Sequence, residues 1–157
     1  MPILSIEGKD YEAKLTFAFA KLADKRYKLV QKNDEKGKAD LVTGGLENIY
    51  QHLMNYDANG LLAFWDCALE IYNRKKAKPS LEQIEDALSA VLESGEDERL
   101  FKEAFAAIEN SGFFRLKIKD YWKNLDLVDK LAKNEEERKQ SRMAKEMFTA
   151  KREELLA

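Results

Sequence analysis

With 157 residues, the chain is long enough to bury one core and too short for two comfortable domains. It is 45% hydrophobic and 36% charged with only 7 Gly and 2 Pro, the composition of a mostly helical protein with heavily solvated faces. Its 27 Lys and Arg against 29 Asp and Glu leave a net charge of -2, without the positive surplus that a dedicated nucleic-acid binder uses to displace counterions from phosphates.

The first predicted element is a hairpin. Leu4 and Ile6, then Tyr11, Ala13, Leu15 and Phe17, alternate in the manner of strands. Residues 3–7 are expected to pair with 10–16 around "EGKD", with Gly8 supplying a positive φ. Two strands alone are marginal in water, so the hairpin must lean on helices or offer an edge to a second copy of the chain, and self-association is the favoured use.

Spacing then becomes helical at Phe19, Leu22 and Leu29, which predicts a helix from about Thr16 to Val30. "QKNDEKGKAD" is polar and non-periodic, a loop over residues 31–40. Gly44-Gly45 precedes a short helix, "LENIYQHLMNY", which "DANG" interrupts. A second helix places Leu61, Phe64, Trp65, Ala68, Leu69 and Tyr72 on one face.

Ser80 and Gln83 have capping-box spacing ahead of the stripe Leu81, Ile84, Leu88, Val91 and Leu92. The next helix presents Leu100, Phe101, Ala104, Phe105 and Ile108 and is expected to stop at Ser111-Gly112, where Gly112 suits a left-handed cap. Ile118, Tyr121, Trp122, Leu125 and Val128 form a further apolar face, although Phe114, Leu116 and Ile118 also alternate and admit a short strand. Asn134, followed by three glutamates, starts a C-terminal helix whose only stripe is Met143, Met147, Phe148 and Leu155. The expected fold is therefore mainly α: a helical domain over residues 1–132 with an N-terminal β-hairpin, followed by a charged amphipathic C-terminal helix over 133–157.

No constellation for catalysis or metal binding emerges. His52 is the sole histidine and reads as a packing or surface residue. Cys67, the sole cysteine, sits beside Asp66, which raises a thiol pKa, and reads as a buried structural residue in a reducing compartment. Glu82, Glu85 and Asp86 fall off the apolar stripe, and no glycine cluster has phosphate-loop spacing. Arg74, Lys75, Lys76 and Lys78 read as a solvated helix end. The start lacks a secretory-signal pattern and no apolar run is long enough to span a membrane. No enzymatic activity, cofactor, metal, nucleic acid or membrane partner is expected.

Two features point to protein binding. Phe101, Phe105, Phe113, Phe114, Tyr121 and Trp122 crowd one part of the chain, and a minority of them exposed in a groove would suit an apolar helix. The C-terminal stripe is thin for a core helix but contains adaptable methionines. The partner-binding candidates are Phe113, Phe114, Trp122, Met143, Met147 and Phe148.

Three motifs in order carry a family resemblance: Ile6-x-Gly8-Lys9-x-Tyr11, then Pro79-Ser80-x-Glu82-x-Ile84-Glu85-x-Ala87, then Ser111-Gly112-Phe113-Phe114. Over residues 3–131 the chain resembles the tail assembly chaperones of long-tailed phages of Gram-positive bacteria. The resemblance implies a protein of the bacterial host cytoplasm, absent from the mature virion. It would bind the tape measure protein and keep it soluble until the tail tube polymerises, with self-association expected and the tail tube protein as a further candidate partner. The alternative is a small structural head-tail or tail-completion protein of the virion. The segment after Asn134 lies outside the resemblance.

Overall fold

The computed structural model describes residues 1–37 and 39–157. Lys38, inside the loop expected over residues 31–40, lies outside the described residues. Strand β1 (Ile3–Ile6) pairs antiparallel with β2 (Lys9–Glu12), with Ile6 opposite Lys9, so Glu7 and Gly8 alone make the turn. Both take positive φ, 50° and 79°, the combination whose twist suits a two-residue hairpin. Leu4 and Ile6 are buried, and β1 packs on α4 (Leu81–Glu93). Gln83 Nε2 donates to Glu7 Oε2 at 3.0 Å across the same contact. The opening hairpin thus leans on its own helices, the first of the two uses expected of it.

Helix α1 (Phe17–Arg26) is shorter than expected. The chain leaves it at Tyr27, and Leu29–Gln31 (β3) pairs antiparallel with Leu41–Thr43 (β4), Val30 opposite Val42. Leu29 and Val30, expected in a helix, are therefore strand residues, and the polar loop connects a second hairpin. α2 (Gly45–Met54) follows the double glycine. A Cβ on Gly45 would stand 2.0 Å from the Ala23 carbonyl oxygen, so only glycine lets α2 approach α1 this closely. The Gly45 N–H donates to Asp24 Oδ1 at 3.0 Å.

"DANG" interrupts as expected by supplying a cap: the Asp57 side chain accepts from the Asn59 N–H and opens α3 (Ala58–Ala68). α3 is the central helix, touching α1, α2, α4, α5 (Asp97–Glu109) and the 3-10 helix Glu70–Lys75. The capping box of Ser80 and Gln83 is present at the start of α4. A left-handed glycine does follow a helix at Gly95, after α4, with φ 87°, whereas Gly112 does not take a positive φ. The chain turns instead through residues 111–114 into α6 (Arg115–Lys130). There Phe114 and Ile118, four apart and both buried, lie on one face while Leu116 points out, so the alternation is helical and no strand forms.

Asn134 caps α7 (Glu135–Leu156), its side chain accepting from the Glu137 N–H at 2.8 Å. Lys145 pairs with Asp126, and Arg152 lies over Trp122, so α7 runs back antiparallel to α6. From Trp122 to Glu154 no described residue is buried. The two helices form an arm, and Leu155 alone in α7 re-enters the core.

One charge lies inside that core. Asp66 is 1% exposed, on the buried helix α3. It accepts from Lys78 Nζ at 2.6 Å, the Tyr27 hydroxyl at 2.7 Å and Arg26 Nη1 at 2.9 Å. Lys78 also donates to Glu70 at 2.6 Å and is itself nearly buried, so it is an internal cation and not part of a solvated helix end. Burial pushes the Asp66 carboxyl up, but the hydrogen bonds from Lys78, Tyr27 and Arg26 outweigh it and hold the group below the usual carboxylate range. A depressed folded-state value gives stability that is present above the ordinary unfolded value, about 3.9, and is lost as pH falls through the folded one. Replacing Asp66 by Ala leaves Lys78 buried with Glu70 alone and is expected to cost about 3–5 kcal/mol near neutral pH. Chemical denaturation across an acid series is the check: the gap between wild type and variant should shrink as Asp66 protonates, and a constant gap would show that packing alone was lost.

Candidate functional site

The aromatic residues around the turn into α6 divide between core and surface. Phe114 is 3% exposed, its ring edge-to-face with Phe19 at 5.4 Å. Expected among the partner-binding residues, it fills the core instead, and contact with a partner would require the core to open. Phe113, next to it, is 43% exposed and meets Phe17 edge-to-face at 4.9 Å. Phe17 is 67% exposed and Leu116 still more. Phe113 also borders a cleft of about 560 Å³ whose lining mixes apolar residues such as Leu15 and Ala107 with the polar Glu103, Asn110 and Ser111. An exposed aromatic pair with one ring at the edge of a cleft suits an apolar side chain from a partner.

Sequence reasoning missed Phe17, which ends the opening alternation and falls at the start of the predicted helix. The available signal is positional. Phe17 is the first residue of α1, and the buried stripe on that helix is Phe19, Leu22 and Ala23.

The arm divides its candidates as well. Met143 and Met147 are 60% and 50% exposed, and Leu127 and Val128 on α6 and Leu131 just after it are exposed as well. Phe148 is half-buried and packs against the core, and Leu155 is buried. Trp122 is half-buried and held on two sides: its Nε1 donates to the Tyr50 hydroxyl at 2.9 Å, and the Arg152 guanidinium lies 4.7 Å from its ring centre. Arg152 Nε and Nη2 donate to Glu109 at 2.7 and 2.9 Å, a two-pronged pair with a carboxylate that is nearly buried. The Tyr50 hydroxyl also donates to Glu109. Burial and that carboxylate push the Tyr50 hydroxyl far up, so it remains a protonated donor. This network links α2, α5, α6 and α7.

Cys67, His52 and Asp57 are engaged in structure. Cys67 is buried, and burial together with the neighbouring Asp66 charge pushes its thiol well up, away from the reactive thiolate. His52 Nδ1 lies 2.7 Å from Asp57 Oδ2 at the start of α3. The Asn59 N–H and His52 hold the Asp57 carboxyl below its usual range. Among the described residues no three His, Cys, Asp or Glu side chains are grouped to hold a metal ion, and no helix is long and apolar enough to cross a membrane. What the surface offers is apolar contact, at the Phe17–Phe113 end and along the arm.

No curated protein and no solved structure matches the chain. A family model described as phage tail assembly chaperone protein, TAC, matches residues 3–123, which takes in both hairpins, α1 to α5, the Phe17–Phe113 surface and the first half of α6, and ends where the arm begins. The chain belongs to the phage tail assembly chaperone family.

Proposed function

We propose that the protein binds the tape measure protein of a siphovirus, one infecting a Gram-positive host, and keeps it soluble in the host cytoplasm until tail tube subunits polymerise around it. The observation that carries this reading is the Phe17–Phe113 pair: two aromatic rings held in contact on the surface, inside the region that matches the family. A long helical chain with apolar stripes is an aggregation hazard, and covering those stripes lowers it. Several weak apolar contacts repeated along such a chain retain it by avidity and yield to competition from the growing tube, with the tail tube protein as the competing partner.

Self-association belongs to the same reading, and the second hairpin supplies a surface for it. Leu29, Val30, Leu41 and Val42 are all exposed there, on two strands that among the described residues pair with each other alone. Replacing both Val30 and Val42 by Lys should shift sedimentation to a smaller species with little change in melting temperature. Unaltered sedimentation would place any assembly contact elsewhere.

Co-expression with the tape measure chain tests the central claim. The long chain should appear in the soluble fraction and co-purify, and replacing Phe17 and Phe113 by Ser should abolish both effects while leaving the fold intact. Persistent insolubility with the wild-type protein overturns the reading. Abundance of the protein in purified virions would instead favour a structural tail component.

The arm makes a separable contribution. Replacing Met143 and Met147 by Ser should change stability by no more than about 0.5 kcal/mol, as for other surface sites, and reduce retention of the tape measure chain. Replacing the buried Leu155 by Ser should cost about 2–5 kcal/mol. Thermal melts of the two variants side by side give the comparison.

A further inference from the structure

Helix α7 covers a groove that the rest of the fold builds without it. Its floor is aromatic: Tyr50 stacks on Phe105 at 4.7 Å and meets Tyr121 and Trp122 edge-to-face at 5.2 and 6.5 Å. Its polar centre is Glu109, a nearly buried carboxylate fixed by the Tyr50 hydroxyl. Every one of these residues lies within the 3–123 family match, and the whole of α7 lies outside it.

The occupant is held lightly for its length. Of the 22 residues in α7, only Leu155 is buried. Arg152 reaches Glu109 and Trp122 in the groove, while Phe148 packs against the core and Leu155 is buried in it, and the three stand at i, i+4 and i+7 on one helical face. Around them the contacts are exposed and polar, such as Lys151 Nζ to Asn55 Oδ1 at 2.8 Å. An amphipathic helix laid in an apolar groove is a general mode of protein recognition. Here the groove adds a chemical requirement, because a buried carboxylate needs a cation. Among the described residues Arg152 is the cation that meets it.

We infer that the groove between α2, α5 and the first half of α6 is a docking site for an amphipathic helix of a partner protein carrying apolar, arginine and apolar residues at i, i+4 and i+7, and that α7 holds this site closed until such a helix displaces it. The identity of the partner as a phage tail protein rests on the proposed function. The existence of the site does not. A chain whose own helix occupies the site binds more weakly by the fraction of time the site is open, so loosening α7 raises affinity without altering the groove.

The test uses the full chain and a labelled synthetic peptide of residues 135–157, the one helix known to fit. Binding is followed by fluorescence polarisation. The R152A/L155S protein should bind the peptide about tenfold or more tighter than wild type, as expected when a competing closed state is removed. A peptide carrying Arg152→Glu, or the same loosened protein carrying E109Q, should lose that gain. A folded R152A/L155S protein with no gain overturns the inference. So does one that pairs with its own kind and excludes the peptide, because the occupant is then a second copy.

Hydrogen exchange on the wild-type chain decides the matter even if that variant fails to fold. Amides of 135–157 should exchange about tenfold or more faster than those of α2 and α5, because a displaceable helix opens before the core does. Exchange of all three as one cooperative unit overturns the inference. Neither experiment contains the tape measure protein. A chain that opens but does not retain it therefore sinks the proposed function alone, and a chain that retains it without opening sinks this inference alone.

Discussion

A carboxylate at the centre of a buried helix stays ionised only if cations and donors are brought to it. Asp66 draws those partners from two sides of α3: Arg26 and Tyr27 at the end of α1, and Lys78 just ahead of α4. This one charge therefore helps fix where α1 stops and where the chain passes after the 3-10 helix. Both segments are short of apolar anchors. No residue of the 3-10 helix is buried, and β3, directly after Tyr27, is exposed throughout. Packing positions the helices, and the Asp66 cluster positions the chain between them.

The rest of the molecule is arranged outward from α3. The N-terminal hairpin closes one side of the core through Leu4 and Ile6. α6 begins in the core with Ile118 and Tyr121, and its second half continues into the arm with no buried residue. Stability should follow the same gradient, since regions with few buried apolar contacts open at low cost. Apolar side chains remain exposed at both ends of this gradient: Phe17, Phe113 and Leu116 beside the core, Leu127, Val128, Leu131, Met143 and Met147 along the arm. Such a distribution suits a protein whose family role is to assist the assembly of other chains.

How much of this was legible depends on whether a face is buried. The capping box of Ser80 and Gln83, the Asn134 cap and the stripes of α4 and α5 could be read because an apolar face and a cap each leave a local pattern. β3 and β4 left none, since a strand exposed on both faces has no alternation, and Leu29 continued the helical spacing of Phe19 and Leu22 instead. The C-terminal stripe was read as one surface although Met147 and Phe148 are neighbours in sequence and so stand about 100° apart around a helix. One faces solvent and the other the body. Asp66 was legible in principle, as the sole charge between Asp57 and Glu70 in an otherwise apolar stretch. Its partner Lys78 was hidden among three other cations that do face solvent.

The exposed apolar residues of the arm must be usable without making the protein itself aggregate, and their spacing meets both demands. Met143 and Met147 form a strip two residues long with Arg142, Lys145 and Glu146 around it. Charges at such positions keep the apolar strip on α7 narrow. A narrow strip cannot hold a flat sheet, but it can follow the stripe on another helix for one or two turns. Each contact is then weak, and retention depends on having several of them in register. Under the proposed role that weakness is useful: a chain held by many small contacts can be stripped off stepwise by a polymerising tube, whereas one deep pocket would have to release it all at once.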